Sequence, residues 1–170
     1  ACNELDLKLI DGFGVTFRAY DDGVAYRFYT TRTADITVKN EIADFNFNQD
    51  YTAYLPYTTN DKKPMAMAFQ NIYDVTPLSK AQPKVAFLPV KTKLTLLESD
   101  LEAYPGMFVE SQKDGYGLKG VFASYPTQTD FYPWRMQEYV TETSDFIARS
   151  SGARTYPWRV LAVTGKDTDM

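Results

Sequence analysis

Apolar and polar side chains alternate along much of this chain. Val15, Phe17 and Ala19 are separated by Thr16 and Arg18, and Val24, Tyr26 and Phe28 by Ala25 and Arg27. A period of two places one set of side chains on each face of a strand. Asp21-Asp22-Gly23 lies between the two runs and predicts a β-hairpin, with Gly23 supplying the positive φ of a primed turn. Shorter runs predict further strands at Leu5–Ile10, Ile36–Val38, Met65–Phe69, Val85–Leu88 and Lys93–Glu98. Met107–Glu110 and Leu118–Ala123 follow, joined by a turn at Asp114-Gly115, and Arg159–Thr164 closes the series. Residues 41–64 read as a long connection with an edge strand at Tyr51–Tyr54, and Thr76–Pro83 as a loop. Gln137–Thr143 and Ser144–Ala148 are polar and ambiguous. About ten short strands with few helical periods predict an all-β fold, a β-sandwich with few short helices.

Composition agrees with strands. Of 170 residues, 44% are hydrophobic and 15% aromatic, with 13 Tyr and 11 Phe. That length suits one domain. The net charge of −4, with no basic cluster, disfavours nucleic acid and anionic membranes as partners. The chain has no histidine, which excludes Ser-His-Asp and Cys-His catalysis and His-ligated metals within it. Cys2 is the single cysteine, so no intrachain disulfide or zinc-thiolate site forms. No apolar run approaches the roughly 18 residues of a membrane-spanning helix. The first ten residues, ACNELDLKLI, do not read as a signal peptide. Both ends look cut, so residues 1–170 are expected to form one partial domain with some sheet partners missing.

Candidate chemistry concentrates in Lys93–Met107. Leu94, Leu96 and Glu98 share one strand face, so Glu98 prolongs an apolar stripe. A carboxylate there is solvated, paired or bound to a cation, since burying an unpaired charge costs several kcal/mol, about a whole folding margin. Ser99-Asp100-Leu101-Glu102 fits a helix-capping box, with Asp100 in the first turn and Pro105-Gly106 as the stop. Glu98 is the acid left without a local job. It reads either as a solvated strand-end acid or as a ligand to a hard cation, with calcium the expected ion because it prefers carboxylate oxygens. Calcium takes about 6–8 oxygens, so other ligands would come from outside this chain.

Glycosidases place two carboxylates about 5–9.5 Å apart. Glu138 with Glu142 and Asp21 with Asp22 are the near pairs here, and both read better as exposed or turn acids. Trp134 and Trp158 each stand between Pro and Arg. Trp158 reads as core. Trp134 is a candidate for stacking on a sugar, against the alternative of structural stacking with Arg.

Three ordered segments resemble glycoside hydrolase family 97, in its N-terminal domain. They are FRAYDDGVAYRF (Phe17–Phe28), LESDLEAYPGMF (Leu97–Phe108) and DFIARSSGARTYPWRVLAV (Asp145–Val163). The resemblance implies a super-sandwich of galactose-mutarotase type preceding a catalytic (β/α)8 barrel and a small C-terminal β domain. It implies a bacterial enzyme acting in the periplasm or outside the cell on α-glucosides, or alternatively on α-galactosides. In that family the catalytic carboxylates lie on the barrel, and the N-terminal domain packs on it and contributes a glutamate to an active-site calcium. That glutamate falls on Glu98. The resemblance therefore implies no catalytic residue in this chain, which would be inactive alone. It also implies partnership with the barrel and an α-linked oligosaccharide. A stand-alone carbohydrate-binding sandwich is the rival reading.

Overall fold

The computed structural model describes residues 1–66, 71–134 and 136–163. In chain order its strands are β1 (Asn3–Lys8), β2 (Phe13–Tyr20), β3 (Gly23–Thr30), β4 (Ile36–Val38), β5 (Asp44–Asn46), β6 (Thr52–Leu55), β7 (Asp74–Pro77), β8 (Val90–Lys91), β9 (Thr95–Ser99), β10 (Met107–Ser111), β11 (Gly117–Phe122), β12 (Pro126–Tyr132), β13 (Gln137–Thr143), β14 (Ala148–Ser150), β15 (Arg154–Thr155) and β16 (Trp158–Ala162). The helical content among the described residues is confined to short 3-10 turns at 10–12, 64–66 and 78–80.

An antiparallel sheet runs β1-β2-β3-β16-β9-β8-β6-β7, with β15 also on β3. A smaller sheet, β10-β11-β5, lies across the core from it. Ala53, Leu55, Val90 and Leu96 of the large sheet pack with Phe45, Met107, Val109, Leu118 and Phe122 of the small one. Two sheets burying facing apolar rows make the predicted β-sandwich. The pairs β12-β13 and β14-β4 complete the fold.

The predicted hairpin is β2-β3, with Tyr20 opposite Gly23. Gly23 is not there for a positive φ. A Cβ at Gly23 would lie 2.6 Å from the Leu161 carbonyl oxygen, so glycine is required by the close approach of β16. Gly115, at φ 109°, does serve its turn as predicted.

Several expectations shift. Tyr51–Tyr54 becomes β6, and it is interior, since β7 pairs along its outer side and forms the edge. Residues 41–64 also hold β5, and the 76–83 loop begins inside β7. For Met65–Phe69, residues 64–66 form a 3-10 turn, and the remainder lies outside the described residues. Val85–Leu88 is no strand of its own; Ala86 bridges Tyr57 and Val109 singly. Pro83 and Pro89 bound that segment, and proline donates no ladder hydrogen bond.

One register row crosses five strands: Leu5, Phe17, Tyr26, Arg159 and Glu98. At the β1–β3 end this face is open, with Leu5, Leu7, Phe17, Val24 and Phe28 all exposed. The small sheet covers only the other end.

Candidate functional site

Glu98 is the next-to-last residue of β9, on the same face as buried Leu96. Its side chain is 18% exposed. It is not an unpaired strand-end acid. It stands opposite Arg159 of β16 in the same sheet, and Arg159 Nη1 donates to Glu98 Oε2 at 2.8 Å. The Met107 amide donates to the same oxygen at 2.9 Å. Oε1 accepts no hydrogen bond among the described residues. Gly106 leaves room beside it, because a Cβ there would come within 3.2 Å of Oε1.

Arg159 has 1% of its side chain exposed and is the centre of the cluster. Its Nε and Nη2 donate to Oε1 and Oε2 of Glu41, each at 2.7 Å, a two-pronged fork. Its guanidinium carbon lies 5.2 Å from the centre of the Phe122 ring. Tyr104 donates its hydroxyl to Glu41 Oε2 at 3.0 Å. Two carboxylates therefore face one guanidinium, leaving one negative charge over. Burial, the largest single influence, opposes charge on Arg159, but hydrogen bonding to Glu41 together with the charges of Glu41 and Glu98 outweighs it and raises the guanidinium pKa. Burial pushes the Glu98 carboxyl above its ordinary value, against the lowering effects of the Met107 amide and Arg159. Burial, then the Glu41 charge, pushes the Tyr104 phenol far up.

The loop after Glu98 is pinned at each step. The capping box does not form: Ser99 stays paired with Trp158 in the sheet, and Asp100 and Ala103 take positive φ values of 61° and 45°. Asp100 meets Arg27 at 3.2 Å instead of a helix end. Arg154 donates to the Glu102 carbonyl at 2.6 Å and to that of Ala103 at 3.5 Å. These tertiary partners override the local preference for a helix.

Sequence reasoning missed Glu41, Arg159 and Tyr104. The other candidate acids gather into no site. Asp21 and Asp22 form the β2-β3 turn, and Glu138 and Glu142 lie exposed on β13, where Glu142 accepts from Gln128 at 2.8 Å. Trp158 is 9% exposed, as its core reading requires. Its cationic neighbours are Arg18 at 4.5 Å and Arg27 at 4.4 Å, not adjacent Arg159, which points to the opposite face. Trp134, 74% exposed, stands at the tip of β12-β13, 5.2 Å from the Tyr132 ring. Tyr132 in turn stacks on Tyr139 at 4.1 Å.

Glu98 fits a hard cation as a single oxygen donor through Oε1, given the spare negative charge and partial exposure. Among the described residues no group of three or more His, Cys, Asp and Glu side chains is placed to hold a metal. A cation at Glu98 would need ligands from another segment.

The chain is 34% identical over 181 aligned positions to a retaining alpha-galactosidase of Bacteroides thetaiotaomicron, covering 99% of this chain and 27% of that protein. The fold superposes on a glycoside hydrolase family 97 enzyme from Pseudoalteromonas sp. strain K8, solved with acarbose. The TM-score is 0.67 at 16% identity, over 98% of this chain and 27% of that one. It also superposes on a beta-arabinopyranosidase, with a TM-score of 0.64 at 17% identity, over 96% of this chain and 27% of that one. The chain thus spans about a quarter of the length of these relatives. The glycosyl-hydrolase 97 N-terminal family matches residues 1–170 from end to end, and the chain belongs to that family.

Proposed function

We propose that this chain is the non-catalytic N-terminal β-sandwich of a family 97 α-glycosidase, and that it lends Glu98 to a calcium ion shared with a catalytic barrel. The observation that carries the reading is Glu98 Oε1, which accepts no hydrogen bond among the described residues, in a cluster holding one surplus negative charge. A bound calcium would supply positive charge to bind and polarise the sugar. Glu98 would be one donor, and Arg159, Met107 and Glu41 would hold it. The open apolar face of β1–β3 lies on the same side of the same sheet. A barrel covering Leu5 and Phe17 would be brought toward Glu98 along one register row. The relative at 34% identity supports α-galactosides over the α-glucosides expected from the sequence. The periplasm or the outside of the cell is proposed as the place of action on the family resemblance alone.

The test is Glu98→Gln in the full-length enzyme, assayed on an aryl α-galactoside with calcium or with chelator. The reading predicts a loss of roughly 100-fold or more, as for removal of a key electrostatic group, and little remaining response to chelator. Unchanged activity with an unchanged chelator response refutes it.

A second reading rests on Trp134. An exposed Trp backed by a Tyr132–Tyr139 stack is a rigid platform for a pyranose ring. Trp158 is buried, so a spectral shift on adding an α-linked galacto-oligosaccharide would report Trp134. The absence of any saturable shift removes this reading.

A further inference from the structure

We infer that Glu41, acting through Arg159, is a positioning residue that fixes Glu98 in the one orientation that leaves Oε1 to a divalent cation. This deepens the calcium reading and rests on it.

A guanidinium presents five N–H donors in one rigid plane. Glu41 takes two of them, at 2.7 Å each, and so sets the plane and its direction. The third named donor, Nη1, reaches across from β16 to β9 and meets Glu98 Oε2 at 2.8 Å. The Met107 amide meets the same oxygen at 2.9 Å. Among the described residues both donors converge on Oε2 and none on Oε1, so the carboxylate is oriented rather than merely neutralised.

Tyr104 holds Glu41 from behind, at 3.0 Å. Glu41 and Arg159 cancel each other's charge. Together they orient the donor without changing the net charge a cation would meet. Without Glu41 the guanidinium would be free to turn its fork onto both oxygens of Glu98 and close the site. Supporting residues of this kind typically account for about 10–100-fold in metal affinity.

The test is calorimetric titration of calcium into the full-length enzyme in three forms: wild type, Glu98→Gln, and the double substitution Glu41→Leu with Arg159→Met. The double form removes the orienting pair at constant net charge, and replacing both members of a buried ion pair with apolar residues commonly preserves a fold. Glu98→Gln is expected to lose the Glu98-dependent binding. The double form is expected to bind calcium roughly 10–100-fold more weakly while its calcium-free unfolding temperature stays near wild type. Should the double form bind as tightly as wild type while Glu98→Gln is weakened, the positioning role is overturned and the calcium reading stands. Undiminished binding by Glu98→Gln overturns both. If the double form does not fold, Tyr104→Phe takes its place. It loosens Glu41 by one hydrogen bond and is expected to weaken calcium by about threefold; an unchanged affinity there overturns the positioning role.

Discussion

A guanidinium with 1% of its side chain exposed must have its charge met inside the protein, and Arg159 meets it with Glu41 and Glu98. Arg159→Met alone strands Glu41 in the core and should cost about 3–5 kcal/mol in urea unfolding, whereas joint replacement of Glu41 and Arg159 by apolar residues should cost far less. Neighbouring Tyr26 gives the cluster a second, alkaline signature. Burial, reinforced by Glu41, pushes its phenol up to about 12. The folded state holds that proton more tightly than the unfolded chain, whose tyrosines titrate near about 10. The stability Tyr26 provides is therefore complete below pH ~10 and lost as pH climbs through about 12. Tyr26→Phe should lose less stability than wild type when urea unfolding at pH ~9 is compared with pH ~11.5.

The cluster was partly legible in the sequence. Glu98 shares the parity of Leu96, Arg159 that of Leu161, and Glu41 that of buried Ala43 and Phe45. Each is an ionised side chain at a core-facing position, and such positions demand partners. Which partner meets which was not legible, because the pairing spans 118 residues from Glu41 to Arg159 and depends on strand order.

At the scale of elements, period-two alternation carried the β2-β3 assignment, whereas β10, β11 and β16 were legible only as short apolar runs, since β10 buries Met107 beside Phe108 and β16 buries Trp158 beside Arg159, one on each face. It gave no clear answer for β12 and β13, whose residues are nearly all exposed on both faces. A two-stranded ribbon without a packed face is marginal in water. The amides of β12-β13 should therefore exchange with deuterium far faster than those of β2-β3. The capping box failed for a different reason: Arg27 and Arg154, distant in sequence, claim the groups a helix would have used. Gly23 was located by turn chemistry but is explained by packing. Gly23→Ala should push against the Leu161 carbonyl and destabilise by about 1–3 kcal/mol, read as a lower urea midpoint.

For the whole molecule, the sandwich is lopsided. The small sheet covers β9, β8 and β6, and the apolar face of β1–β3 stays open. Leu5, Leu7, Phe17, Val24 and Phe28 form a patch of the sort that marks an interface. The isolated chain should bind an apolar fluorescent dye such as ANS, and replacing Phe17 and Val24 with Thr should reduce the signal. That face offers the proposed barrel a surface to cover, and the chain spans 27% of the length of its 34%-identical relative. Hydrolysis of aryl α-galactosides and α-glucosides by the purified 170-residue chain is the most direct measurement. No turnover above buffer is expected. Turnover that a substitution within these residues abolishes would contradict it.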